Sequence, residues 1–269
     1  MNIKPTQFVL EHKPWSVSKA KTAEQCPLKF KLTYIDKKKG SGSNSAALVG
    51  QAAHQILEIL IQDDSTWLLA HQSAQDAHQL TSPELTQLEN LKLPILNFVR
   101  RLKLFRERNG IVDAHVEKRL GVDLDGKPTE FFDNNGFLRG VVDLVLFPPA
   151  QPHAIIIDHK SGRPRNLSDY EIQFNSYTML IKAAYPHIVG SKVGVNHIKD
   201  DSLDFLPVSD ITDIEPYWDN MITYLNEATK QTHTFKTQTG WWCDWCDRQI
   251  YCPLFREDNG TTKNQGNNP

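Results

Sequence analysis

The stretch GVVDLVLFPPAQPHAIIIDHKSG, residues 140–162, holds two apolar runs on either side of a turn built from Pro148, Pro149 and Pro152. Runs of this length, rich in Val, Ile and Leu and bounded by proline, read as strands. So short a connection joins antiparallel neighbours. With the turn centred between Ala150 and Gln151, Asp143 falls opposite Asp158. Opposed residues of an antiparallel pair hold their Cβ atoms about 4.5–5.5 Å apart on one face, and alternation puts Lys160 on the face of Asp158. The register decides this, because a slip of one residue sends one carboxylate to the other side. Two carboxylates beside an apolar run repel each other unless a cation neutralises them. A hard divalent ion, Mg2+ or Mn2+, suits oxygen donors of this kind and would bind a phosphate oxygen and acidify a water. The competing account is a polar strand end with no chemistry, since an Asp-x-Lys is common by chance.

Working outward, residues 112–122, 131–132 and 137–147 read as strands before the turn, and residues 192–207 as a further hairpin. Helical spacing marks 16–35, broken near Pro27, then 47–61, which carries His54, and 83–108, ended by Asn109-Gly110. Residues 168–185 form another expected helix, opened by the capping-box pattern Ser168-x-x-Glu171, and 211–232 a last one. Between the first two lies a basic Gly/Ser loop, residues 37–46. The expectation is an α/β fold: a central mixed sheet flanked by helices, with an N-terminal helical region and a cysteine-rich C-terminal closure. Residues 1–255 read as one domain and 256–269 as a disordered tail.

Composition narrows the classes. The 269 residues are 39% hydrophobic and 23% charged with a net charge of −2, so no overall basic excess announces a nucleic-acid binder. Local basic surface around an acidic site would cancel in such a sum. No apolar run approaches the roughly 20 residues of a membrane span, and the first residues lack a secretory h-region, so the reading is a soluble cytoplasmic chain. No Gly-x-x-x-x-Gly-Lys-Ser/Thr loop occurs, which excludes a P-loop nucleotide motor.

Four cysteines remain: Cys26, and Cys243-x-x-Cys246 followed by Cys252. In a reducing compartment such a set reads as metal ligands or thiols rather than disulfides. Thiolate quartets hold zinc or an iron–sulfur cluster, and spacing alone does not choose between them. Trp241, Trp242 and Trp245 read most simply as packing. Lys29, Lys31, Lys37, Lys38 and Lys39 are phosphate-contact candidates, as are Arg163 and Arg165, which follow Lys160 within a few residues.

Five segments in order, CPLKFKLTYI (26–35), GQAAHQIL (50–57), GVVDLVLF (140–147), IIIDHKSG (155–162) and QFNSY (173–177), resemble the RecB-type branch of the PD-(D/E)xK nuclease superfamily. Within it the chain is most similar to compact exonucleases that carry an iron–sulfur cluster, including those of CRISPR adaptation. The resemblance implies His54, Asp143, Asp158 and the main-chain carbonyl of His159 as metal ligands, with Lys160 the catalytic lysine. It implies a helix bearing Gln173 and Tyr177 beside the site, and Glu117 as a supporting acid for the metal or the sheet surface. It also implies a 4Fe–4S cluster on Cys26, Cys243, Cys246 and Cys252, with zinc as the alternative. The implied activity is Mg2+- or Mn2+-dependent exonucleolytic hydrolysis of DNA with single-stranded ends. The rivals are a structure-specific or flap endonuclease, and a DNA-binding nuclease-fold subunit of a recombination or CRISPR adaptation complex.

Overall fold

The computed structural model describes residues 3–256, without residues 43, 64, 164, 165, 208, 211 and 212. Arg165 and the expected tail beyond residue 256 therefore lie outside the described residues. Three short helices open the chain: α1 (Gln7–Glu11), α2 (Val17–Gln25) and α3 (Pro27–Phe30), the last continuing as one wide turn over Lys31–Ile35. Ser16 caps α2 by accepting from the Lys19 amide. Pro27, with no N–H to lose, starts α3 and makes the expected break.

Four helices follow: α4 (Ser45–Gln62), α5 (Trp67–His78), α6 (Ser82–Glu89) and α7 (Lys92–Arg108). The expected single helix over 83–108 is in fact two, parted at Asn90-Leu91, and α5 had no counterpart in the sequence reading. A capping box does form here, between Thr81 and Glu84. The one expected at Ser168 and Glu171 does not: a 3-10 turn, Leu167–Tyr170, precedes α8 (Glu171–Ala184), and neither start has a side-chain cap.

The sheet is mixed. Its strands are β1 (Ala114–Val122), β2 (Pro128–Thr129), β3 (Leu138–Leu146), β4 (His153–Lys160), β5 (Gly190–His197), β6 (Ser202–Phe205) and β7 (Ser209–Asp210). Their order is β2-β1-β3-β4-β5-β6, with β7 also on β5; β4 and β5 run parallel and the other pairs antiparallel. Phe131 and Phe132, expected in a strand, sit instead in the turn after β2. Helices α9 (Glu215–Ala228) and α10 (Pro253–Arg256) complete the chain. No helix among the described residues is long and apolar enough to cross a membrane.

Each sheet face buries its own core. On one side Ala154 and Ile156 pack with Phe174, Leu180, Trp218 and Leu225 of α8 and α9. On the other, Leu144, Leu146 and Ile157 pack with Ala53, Leu57, Ile95 and Phe98 of α4 and α7. Alternation is broken once along β1 and β3. Val142 and Val145, three apart, both face α8, while Leu144 faces α4. The unbroken register skips one pair, Glu117 with Asp143, and Glu117 has φ +50°. Each strand carries one extra residue at this level, and the two extra residues face each other.

Trp218 is fully enclosed, at 2% exposure, against Phe137. Trp218→Ala should lower unfolding stability by about 3–5 kcal/mol, read from urea denaturation. A loss below about 1 kcal/mol would mean that α9 does not close this core.

Candidate active site

The turn register expected from the proline-flanked hairpin is present, in the pairs Leu144 with Ile157, Val145 with Ile156 and Leu146 with Ile155. Pairing ends one step before Asp143 and Asp158. A strand amide left there needs an acceptor, and the His159 N–H finds one in Asp143 Oδ2 at 2.7 Å. The strands part at this point, and the acids line the notch.

On the α4 side, the extra residues Glu117 and Asp143 turn toward His54. One donor atom from each of His54, Glu117 and Asp143 lies within 4.8 Å of the others, and His54 Nδ1 is 3.6 Å from Asp143 Oδ2. Gly50, one turn before His54, lets α4 press against the end of β4, where an added Cβ would meet Ser161 Oγ at 2.7 Å. A cleft of about 640 Å3 opens over this group, bordered also by Glu58 and His78. The His78 Nε2 is buried with no hydrogen-bond partner among the described residues. Glu58 and His78 escaped the sequence reading. Glu58 was findable, since it stands four residues after His54 and shares its helix face.

On the α8 side stands Asp158, 1% exposed. Its Oδ1 accepts from Gln173 Nε2 at 2.9 Å and from Tyr177 Oη at 3.2 Å, and Gln173 also donates to Tyr177 Oη at 2.7 Å. Its Oδ2 meets the Lys160 ammonium at 2.6 Å, and that ammonium lies over the Tyr170 ring. Gln173 and Tyr177 therefore hold Asp158 directly. Asp143 and Asp158 converge from opposite faces rather than one, because the extra pair shifts Asp143. The buried His159 side chain lies edge-on to Phe98 and to the His54 ring and is hydrogen-bonded to Asn196.

Charge crowding shows in the proton affinities. Burial and then the Asp158 charge push the Asp143 carboxyl well up from its usual range. Burial and then Asp143 push Glu117 up to about 7. Burial lowers His54, against the pull of Asp158, and burial, with Asp158 and Asp143, raises Tyr177 well above the phenol range. Crowded carboxylates of this kind are relieved by a cation, and the two carboxylates with one imidazole form a donor group that could hold a divalent one. Glu117 adds left-handed backbone strain of about 1–3 kcal/mol, a cost tolerated at functional sites.

The cysteines lie where the two ends of the chain meet. Leu28 N–H donates to Lys236 O, and Ser41 N–H to Asp247 O. Cys26 and Cys246 are close enough for their charges to interact. Among the described residues no three cysteine sulfurs come within 4.8 Å of one another, whereas tetrahedral zinc at about 2.3 Å per sulfur would hold them about 3.8 Å apart. Trp241 and Trp245 do not pack in a core: they are 68% and 64% exposed, because their short 3-10 turns leave no layer to cover them. Among the lysines, Lys31 is paired with Asp36 and Lys29 with Asp247. Lys37, Lys38, Lys39 and Arg163 are exposed.

A family model described as the PD-(D/E)XK nuclease superfamily matches residues 14–253. Among solved structures, a candidate exonuclease from Eubacterium rectale is 10% identical, over 98% of this chain and 97% of that one, at a TM-score of 0.48. The protein SSO0001 is 15% identical, over 85% and 95%, at a TM-score of 0.33. No curated protein sequence matches the chain.

The raised carboxyls give the metal-free protein a pH signature. Between the usual carboxylate range and the raised values, the folded state holds more protons than the unfolded one, so stability falls as pH rises through that window. Thermal unfolding should show a Tm that drops from pH 5 toward pH 9, and Mn2+ should raise Tm more at pH 8 than at pH 5.5. An equal or larger Mn2+ shift at pH 5.5 contradicts the assignment. Separately, Glu117→Gly relieves the left-handed strain. The metal-free variant should melt no lower than the parent while gaining less stability from Mn2+.

Proposed function

Because the chain belongs to the PD-(D/E)XK nuclease superfamily, we propose that it is a divalent-metal-dependent deoxyribonuclease whose centre is the notch between β3 and β4. The observation that carries this reading is the joint presence there of the His54, Glu117, Asp143 donor group and the Asp158–Lys160 ion pair. A divalent ion bound at the notch would supply a Lewis acid for the scissile phosphate and a more acidic water. The residues that would hold it are His54, Asp143 and Asp158, with the His159 carbonyl and Glu117 beside them.

The chain's own groups account for the remaining work. Gln173 and Tyr177 keep Asp158 Oδ1 in place, so its second oxygen stays with Lys160. The Lys160 ammonium, anchored 2.6 Å from Asp158, is placed to orient the attacking water or to offset charge growing on the phosphate. The tyrosine stays protonated, since its pKa lies far above neutral, and donates rather than accepts toward the acid. Arg163, exposed just past β4, is in reach of the phosphate backbone, and Arg165 follows it in sequence.

The motif order supports an exonuclease acting on DNA with single-stranded ends. The cysteine donor set supports a 4Fe–4S cluster that ties the chain's ends together, with zinc the alternative.

Lys160→Ala and Asp158→Asn should each cut DNA cleavage with Mn2+ about 100-fold or more while circular dichroism stays that of the parent; parent-like rates in either variant would end the proposal. A circular single strand should survive while its linear form is degraded, and nicking of the circle would mark an endonuclease instead. Protein purified without oxygen should carry iron and acid-labile sulfide, whereas stoichiometric zinc without iron would exclude the cluster.

A further inference from the structure

The turn after β2 presents an aromatic side chain to solvent. Phe132 is 74% exposed, and its turn is closed by hydrogen bonds from Asp133 N to Glu130 O, Asn135 N to Asp133 Oδ1 and Gly136 N to Asp133 O. Its ring stands edge-on to Phe131 at 5.0 Å. Phe131 in turn is flanked by two guanidiniums, with Arg139 Cζ 5.0 Å and Arg119 Cζ 5.9 Å from its centroid. Among the described residues neither arginine has a carboxylate within 4.0 Å, although the Arg119 charge acts on Glu117.

The sheet puts both arginines on the face that carries the acids. Leu120, Val122, Leu138 and Val142 belong to the core on the α8 face, so Arg119 and Arg139 between them face the other way, as Glu117 and Asp143 do. Arg119 stands two residues from Glu117 and Arg139 four from Asp143. At about 3.4 Å per residue they lie roughly 7 and 14 Å along the strands from the acids.

Resting on the nuclease reading, we infer that Phe132, Phe131, Arg119 and Arg139 form a subsite for a single-stranded DNA end. Phe132 stacks on an unpaired base, and the two guanidiniums, held in place by Phe131, take the flanking phosphates. Charge decides the occupant: an apolar ring beside two guanidiniums fits an unstacked base on an anionic backbone. The spacing sets the position. At about 3.4 Å per stacked nucleotide, or about twice that when extended, the phosphates on the two arginines lie about one to four nucleotides from the scissile bond, and the stacked base beside them.

The test uses the Lys160→Ala protein with Mn2+ and oligonucleotides carrying 2-aminopurine at each of the first six positions. Fluorescence should change most within about one to four nucleotides of the cut mapped with the parent. Phe132→Ala should weaken binding of the single strand by about 5- to 150-fold, the worth of one stacked base, and leave blunt duplex within twofold. Phe132→Trp should restore it. Arg119→Gln and Arg139→Gln should each lower the salt dependence of binding by about one phosphate contact. If Phe132→Ala binds the single strand as the parent does, or loses single strand and blunt duplex alike, the subsite is overturned. In that case parent cleavage abolished by Lys160→Ala leaves the nuclease reading standing. A parent that binds no DNA overturns both.

Discussion

The hydrogen bond from the His159 amide to Asp143 Oδ2 replaces a sheet bond that β3 no longer offers, and the site depends on it. A buried amide must find an acceptor. By supplying one from a carboxylate, the chain lets β3 and β4 separate without leaving an orphan donor. The separation is what lets two acids, each buried, converge from opposite faces onto one point.

From that notch the helices take their places. Gly50 brings α4 against Ser161 so that His54 reaches the acids from above. On the other face Gly140 does the same for α8: a Cβ there would lie 2.9 Å from Leu180 Cδ1 and 3.6 Å from Tyr177 Cε1. Two glycines thus govern how closely the imidazole and the phenol approach the carboxylates. The site is preorganised by backbone approach distances rather than by long flexible side chains, which keeps donors placed before any ligand arrives.

Much of this was legible because it was local or periodic. The proline-bounded turn specifies the β3–β4 register, the apolar runs specify which strands are buried, and the four-residue spacing of Gln173 and Tyr177 places both on one helix face. What was not legible depended on exceptions to period. Nothing in residues 112–122 marks Glu117 as left-handed, since the conformation comes from its facing partner Asp143 and not from its neighbours. Ser168 and Glu171 have the capping pattern, but a 3-10 turn occupies that ground. Phe131-Phe132 has strand composition, yet the Asp133 turn and the flanking arginines decide its conformation. The tryptophans near the cysteines looked like core, and exposure shows that aromatic content alone does not make one.

The paired extra residues in β1 and β3 also bear on which changes of chain length the sheet tolerates. Deleting Glu117 alone would slide Lys118 through Val122 by one position, turning Lys118 and Arg119 about and carrying Leu120 and Val122 out of the core. Deleting Asp143 alone would do the same to the other strand. Only the loss of both together restores an ordinary ladder, and that double event erases the notch. A single-residue insertion or deletion here therefore acts on folding before it acts on the site, whereas a substitution at either position leaves the strand register as it is.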